Sequence, residues 1–185
     1  MSAEIHVQKE ALNNLIGDLT ERAGRLSAAP GELAVLDTNV FLQSPPIRSI
    51  SWKDVLGWEL IRLVVPLRVV EELDEKKYAP RGGLRFRARR AIRDLDELLN
   101  AAGAPGLVGP GVTIEVPVDQ GPRRRPADAD EEILEDCLEL ALLTGREVTL
   151  VTRDTAMRLR AEALQIPTRR MPELEPAVPG GQEEI

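Results

Sequence analysis

Four acidic residues stand at positions where a parallel β-sheet would place its ligands. Asp37 and Asp154 each follow a short apolar run, and Asp130 opens a helical pattern. Glu72 lies on a predicted helix that follows another short strand. Because α/β proteins bind ligands outside the carboxyl ends of their parallel strands, these acids can meet at one point. Carboxylates gathered there indicate a hard divalent cation and metal-dependent hydrolysis of a phosphodiester.

The rest of the composition favours a metal site built from oxygen ligands. Clustered carboxylates repel one another, so they need a cation or a raised pKa to coexist. Oxygen ligands suit Mg²⁺ or Mn²⁺ better than Zn²⁺ or copper. His6 is the only histidine and Cys137 the only cysteine, which excludes an intrachain disulfide and a thiolate metal cluster. Mechanisms that need a histidine base therefore have almost nothing to work with.

Each acid also has an ordinary structural explanation. Asp37 can be a helix cap or a turn residue, although a carboxylate at the end of a buried strand is costly to desolvate without a partner. Asp130 and Asp154 begin helices, where acids oppose the positive end of the helix dipole. Glu72 can be a solvated helix residue, and Glu71 is an equal candidate by composition. Helical geometry gives Glu72 only a weak preference, so the hypothesis rests on the set of acids.

The hydrophobic pattern predicts helices alternating with short strands. Proline and glycine clusters place loops at 38–50 and 102–111, and a mobile basic loop at 117–127. This order predicts a three-layer α/β/α fold with a mostly parallel central sheet and an added N-terminal helix. The predicted helices are 4–27, 52–60, 67–78, 84–101, 130–144 and 155–164, and the predicted strands are 33–36, 63–66, 112–116 (an edge strand) and 148–152.

Composition limits the class of protein. A chain of 185 residues suffices for one sizeable domain, and 3% aromatic residues imply an aliphatic core. The net charge of -7 argues against coating nucleic acid by bulk attraction. No apolar run approaches the length of a membrane span, and residues 1–4 do not resemble the start of a signal peptide. We therefore expect a cytoplasmic protein.

A basic segment from Lys76 to Arg93 stands out against the acidic average. It holds eight basic residues and no acidic one over eighteen positions, which favours contacts with phosphate groups over a merely solvated helix face. Arg123–Arg125 could add to this surface from a mobile loop. Few aromatic residues accompany the segment, Phe86 among them, so sequence-specific recognition by stacked bases is not predicted. The predicted nucleic-acid-binding residues are Lys76, Lys77, Arg81, Arg85, Arg87, Arg89 and Arg90.

Four ordered motifs resemble those of the PIN domain, over roughly residues 32–170. The motifs are Leu36-Asp37-Thr38-Asn39-Val40-Phe41-Leu42, then Val65-Pro66-Leu67-Arg68-Val69-Val70-Glu71-Glu72-Leu73-Asp74, then Asp130-Glu131-Glu132-Ile133-Leu134, and Leu150-Val151-Thr152-Arg153-Asp154. The resemblance implies a metal-dependent ribonuclease with an acidic pocket of Asp37, Glu72, Asp130 and Asp154. It also selects Glu72 over Glu71. Asn39 and Thr152 become polar supports, and Asp128 an additional acid.

The resemblance sets the domain boundaries and the leading function. We expect an N-terminal helical extension at 1–31, a nuclease domain at 32–171 and a disordered acidic tail at 172–185. The leading hypothesis is an Mg²⁺- or Mn²⁺-dependent endoribonuclease that cleaves single-stranded RNA, leaving 5′-phosphate and 3′-hydroxyl ends by analogy with the family. The main alternative is an RNA-binding or regulatory module that does not cleave. The N-terminal helix could pack on its own domain or on a second copy, so a homodimer stays open, as does a protein inhibitor.

Two other classes of enzyme fit the sequence poorly. A haloacid-dehalogenase-type phosphatase also uses an Asp after its first strand, but it requires a second acid two residues on, where this chain has Asn39. A dinucleotide-binding enzyme requires a glycine-rich turn after the first strand, and none is present.

Overall fold

A computed structural model describes residues 2–80, 82–101, 105–117, 126 and 128–173, with the backbone alone for 2–4 and 101. The helices in this part of the chain are α1 (Ser2–Ala28), α2 (Thr38–Gln43), α3 (Trp52–Leu56), α4 (Leu67–Lys76), α5 (Gly82–Ala101), α6 (Ala129–Thr144) and α7 (Thr155–Ala163). A 3-10 turn covers Ile47–Ser49. The strands are β1 (Glu32–Leu36), β2 (Ile61–Val64), β3 (Gly106–Gly109), β4 (Val112–Glu115), β5 (Val148–Thr152) and β6 (Thr168–Arg170).

The strands form one sheet in the order β3-β4-β2-β1-β5-β6. All neighbouring pairs are parallel except β3 and β4, which are antiparallel. β1 lies at the centre between β2 and β5, so the carboxyl ends of these three strands lie at the same edge. The predicted α/β fold with a mostly parallel sheet flanked by helices is confirmed.

The core is aliphatic, as the composition predicts. Every residue from Leu33 to Leu36 is buried, because helices cover both faces of a parallel sheet and leave no polar side for its central strand. The two fully enclosed aromatic side chains are Phe41 and Trp52, and the Trp52 indole N–H donates to the carbonyl of Ile47 at 3.0 Å. This hydrogen bond satisfies the only polar atom of the Trp52 side chain inside the core.

Some local predictions were wrong. Residues 38–50, predicted as loop, contain α2 and the 3-10 turn, because a six-residue helix is too short to show a clear period. Strands β3 and β6 were missed, the first because it contains two glycines and the second because it is polar and partly exposed at the sheet edge. β4 is not an edge strand, since β3 pairs with its outer side.

The N-terminal helix α1 packs on α6 of its own domain. Leu26 is buried, and Arg22 forms a 2.6 Å ion pair with Glu139 of α6. Further from the domain, apolar side chains such as Leu12 and Leu15 are more than half exposed. A homodimer through this helix stays a prediction.

Two predicted flexible segments fall largely outside the described residues. These are most of the basic loop, with Arg123–Arg125, and the tail from 174 onward. Within the part of the chain that the structure describes, no helix is both long and apolar enough to cross a membrane.

Replacing Gly106 with alanine is expected to destabilise the protein. A Cβ at Gly106 would stand 2.4 Å from the carbonyl oxygen and 2.8 Å from the carbonyl carbon of Leu98, so α5 and β3 would have to move apart. Such overpacking costs about 1–3 kcal/mol, measurable by urea denaturation.

Gly109→Ala is the matched control in the same strand. Apart from its chain neighbours, no described atom lies within 4 Å of a Cβ at Gly109. Equal stabilities of the two variants would contradict the close approach of β3 to α5.

Candidate active site

The central strands deliver two of the predicted acids to one edge of the sheet. Asp37 follows the last residue of β1, and its backbone N–H donates to the carbonyl of Val151 in β5 at 3.1 Å. Asp154 follows β5 by two residues and stands at the start of α7. Because β1 and β5 are adjacent and parallel, both carboxylates emerge at the same edge.

Asp37 is the most enclosed of the predicted acids. Only 4% of its surface is exposed, and the Thr152 hydroxyl donates to its Oδ2 at 2.7 Å. Burial raises the pKa of Asp37 above its ordinary value, and the negative charge of Asp130 adds to this effect; the Thr152 hydroxyl and nearby backbone N–H groups oppose it. Among the described residues no cation forms an ion pair with this carboxylate, so in this part of the chain hydrogen bonds alone stabilise its charge.

Thr152 connects Asp37 to Asp154. Its hydroxyl donates to Asp37 and accepts from the backbone N–H of Asp154 at 2.9 Å. Asp154 also caps α7, because its Oδ1 accepts from the N–H groups of Ala156 and Met157 at 2.7 and 3.2 Å. The ordinary capping role therefore holds for Asp154. It uses one carboxylate oxygen and leaves Oδ2 without a hydrogen bond to the described protein.

Glu72 reaches the same edge from α4. The Thr38 hydroxyl, in the residue after Asp37, donates to Glu72 Oε2 at 2.6 Å, and Lys76 Nζ lies 3.4 Å from the same oxygen. Glu71 instead has an oxygen 3.8 Å from Arg68. The structure thus brings Glu72, and not Glu71, against the start of α2.

Asp130 lies in the electric field of the other acids. Partial burial raises the pKa of Asp130, and the charges of Asp128, Asp154 and Glu72 raise it further, against the lowering effect of Arg160. Asp130 also contributes to the raised pKa of Asp37. Asp130 therefore interacts electrostatically with Asp37, Glu72 and Asp154, and we call these four residues the acidic cluster.

Asp128 and Arg160 border the acidic cluster. Asp128 caps α6 by accepting from the N–H of Asp130 at 3.0 Å. Arg160 Nη1 lies 2.8 Å from Asp128 Oδ2 and 3.4 Å from Asp130 Oδ2, and its hydrogen bond holds the pKa of Asp128 below its usual range. Sequence reasoning missed Arg160, because no local signal on α7 links it to the start of α6.

The Asn39 side chain has no hydrogen bond to the acids among the described residues. It is half-buried, and its Oδ1 accepts from Gln43 Nε2 one turn further along α2 at 3.2 Å. The predicted support of the pocket by this residue is therefore limited to its backbone N–H, which is among the groups that lower the pKa of Asp37.

The predicted nucleic-acid-binding residues differ in their surroundings. Lys76 lies beside Glu72, and Lys77 forms an ion pair with Asp74. Arg90 is partly buried and donates to the carbonyl of Ser44 at 3.0 Å. The Arg87 side chain bonds back to the carbonyl of Gly83. Arg85 and Arg89 are exposed on α5, and Arg81 lies outside the described residues.

The acidic cluster offers the oxygen chemistry that a hard cation requires. As they stand, no three described His, Cys, Asp or Glu side chains are arranged to hold a metal ion. All hydrogen bonds and ion pairs of Glu72 with described residues use Oε2, and those of Asp154 use Oδ1, so one oxygen of each is open to a ligand. A cation there would also offset the charge of the buried Asp37. In donor chemistry, the carboxylate oxygens of these residues suit Mg²⁺ or Mn²⁺.

Comparisons with known proteins identify the family of this chain. Protein PhoH2 of Thermobispora bispora is 36% identical to this chain over 139 residues, a match that covers 70% of this chain and only 29% of PhoH2. A domain of a functionally unknown protein from Methanocaldococcus jannaschii shares the fold, with a TM-score of 0.53 and 17% identity, over 83% of this chain and 100% of that one. The family model of the PIN domain matches residues 34–171, which include the whole acidic cluster. By this match, the chain belongs to the PIN domain family.

Proposed function

We propose that this protein is an Mg²⁺- or Mn²⁺-dependent endoribonuclease that cleaves single-stranded RNA at the acidic cluster. PIN domains generally belong to nucleases, and the chain is a member of that family. The observation that carries the proposal is the buried carboxylate of Asp37 in the field of Asp130. Buried carboxylates with a raised pKa cluster at functional sites, and a bound cation would offset this charge.

The four acids of the cluster would hold the ion. The chemistry that such an ion supplies is activation of water for in-line attack on a phosphodiester and stabilisation of the leaving oxygen. The chain's own hydroxyl groups fix the ligands: Thr152 holds Asp37, and Thr38 holds Glu72. Lys76, one turn after Glu72, places a positive charge beside the cluster, where it can contact a substrate phosphate.

The basic segment would guide RNA toward the cluster. Arg85 and Arg89 are exposed on α5, which packs against both α2 and α4. Positive side chains on one helix bind a phosphate backbone without regard to sequence. Their local charge accounts for RNA binding by a protein whose net charge is -7.

A second candidate is an RNA-binding module that does not cleave. It is favoured by the contacts already made inside the cluster: Lys76 lies against Glu72, and Arg160 lies against Asp128 and Asp130. If these cations are not displaced, they replace a metal ion and the site stays inactive.

Glu72→Gln is expected to lower RNA cleavage by at least about a hundredfold, since even residues that only orient metal ligands cost 10–100-fold when removed. Glu71→Gln is the matched control, because Glu71 lies one position away and faces Arg68. Cleavage of labelled single-stranded RNA and of DNA with the same sequence, with Mg²⁺, Mn²⁺ or EDTA, measures both.

Equal activity of Glu72→Gln and the wild type would rule out the proposed site. Wild-type protein that binds RNA but never cuts it would favour the non-cleaving module.

Asp37→Asn is expected to inactivate the enzyme and yet raise its melting temperature in EDTA at pH 7. The pKa of Asp37 is raised in the fold, so the wild type loses stability as pH rises from the ordinary value of 3.8 through the folded pKa. Asparagine keeps the shape without the charge. Each kcal/mol recovered raises the melting temperature by about 2–4 °C in a protein of this size.

Calorimetric scans at two pH values test this effect. The difference in melting temperature between the variant and the wild type should disappear below the ordinary pKa, where Asp37 is protonated in both the folded and the unfolded state. Added Mn²⁺ should stabilise the wild type and not the variant. A variant that is less stable than the wild type at pH 7 in EDTA would show that the Asp37 charge does not destabilise the folded protein.

A further inference from the structure

Helix α5 carries a stripe of positive charge on its outer face. Arg85, Arg89 and Arg93 are exposed and are spaced four residues apart, so they form one row along the helix. We call this row the basic stripe. The opposite face of α5 is buried in the core through residues that include Ala88 and Leu95. The helix is therefore fixed by its inner face, and the stripe is free to contact a ligand.

Phe86 lies within this stripe and is 67% exposed. A single exposed apolar residue is common on protein surfaces and means little alone. The setting of Phe86 is different, because it is next to Arg85 on the outer face and three residues before Arg89. The other phenylalanine, Phe41, is only 2% exposed. An aromatic ring with cations nearby on the same helix is a combination that binds single-stranded nucleic acid, where bases stack on rings and phosphates pair with cations.

A hydrogen bond of Arg90 indicates how Phe86 is placed relative to the acidic cluster. Arg90 lies one helical turn after Phe86 and donates to the carbonyl of Ser44, directly after the end of α2. The other end of α2 begins beside Asp37. A six-residue helix is about 9 Å long and one helical turn about 5 Å, so α2, the Arg90 side chain and one turn of α5 separate the two regions. A strand of a few nucleotides is long enough to reach both.

We propose that Phe86 is a stacking site for one unpaired base of the RNA, with Arg85 and Arg89 holding the adjacent phosphates. This inference rests on the proposed function for the nature of the substrate, and it adds a subsite outside the acidic cluster. Stacking on one ring accepts any base, so the subsite anchors the strand without selecting its sequence. A duplex keeps its bases stacked on one another and offers none to Phe86.

An acidic protein partner is the competing occupant of this surface. Such a partner would bind through the arginines and would gain little from an aromatic ring in place of an aliphatic side chain. The change from Phe to Leu therefore separates the two occupants.

The test measures binding of a fluorescent single-stranded RNA by the full chain in EDTA, where the proposed metal-dependent cleavage cannot occur. Phe86→Leu is expected to weaken binding by about fivefold or more, the loss typical of removing one stacked base. Phe86→Tyr should bind close to the wild type, because it restores the ring. Leu142→Ala, at another exposed apolar position (83% exposed, on α6), should have no effect.

Phe86→Trp provides a second, direct readout. Its added tryptophan fluorescence should be quenched by single-stranded RNA and unaffected by duplex RNA of the same sequence. Equal binding of Phe86→Leu and the wild type, equal quenching by both RNAs, or no RNA binding by the wild type would each overturn the stacking site. This test measures binding and not cleavage. If the wild type proves inactive as a nuclease, the proposed function fails, but a positive binding result still supports the stacking site.

Discussion

The burial of the Asp37 carboxylate at the end of the central strand is the constraint on which the site depends. Three parallel strands end at this edge, and β5 supplies the Thr152 hydroxyl that makes the burial tolerable. A hydrogen bond from a hydroxyl does not neutralise a charge, and Asp130 increases the cost. Burial therefore makes the Asp37 anion costly in this fold, and the proposed cation would offset that cost.

Hydrogen bonds hold the helices around Asp37 in place. The start of α2 connects to α4 through the bond between Thr38 and Glu72. The end of α2 is held by Arg153, which donates to the carbonyl of Gln43 at 2.9 Å, and by Arg90 from α5. Cations at the carboxyl end of a helix also favour its dipole. Arg90, a predicted nucleic-acid-binding residue, thus stabilises the short helix that follows Asp37, together with Arg153.

The sequence predicts those parts of the fold that depend on local patterns. The continuous apolar runs of β1 and β5 identify buried parallel strands, and the acids that follow them are located by that same pattern. α2 is too short to show a period, and β3, which pairs with β4, has glycine at two of its four positions and so shows no clear apolar alternation. In the site, helical geometry alone could not show whether Glu71 or Glu72 faces the other acids. The contact that distinguishes Glu72 is its hydrogen bond with Thr38, more than thirty residues away. Arg160 could not be foreseen for the same reason, because its partners lie on another helix.

The most direct test of the central claim is a crystal structure of the protein soaked in Mn²⁺, with anomalous scattering used to locate the ion. The account predicts an anomalous peak within coordination distance of Asp37 and at least two other members of the acidic cluster, with Arg160 moved away from Asp130. A well-occupied peak elsewhere, or a cluster that keeps its present ion pairs at saturating Mn²⁺ with no peak, would contradict it.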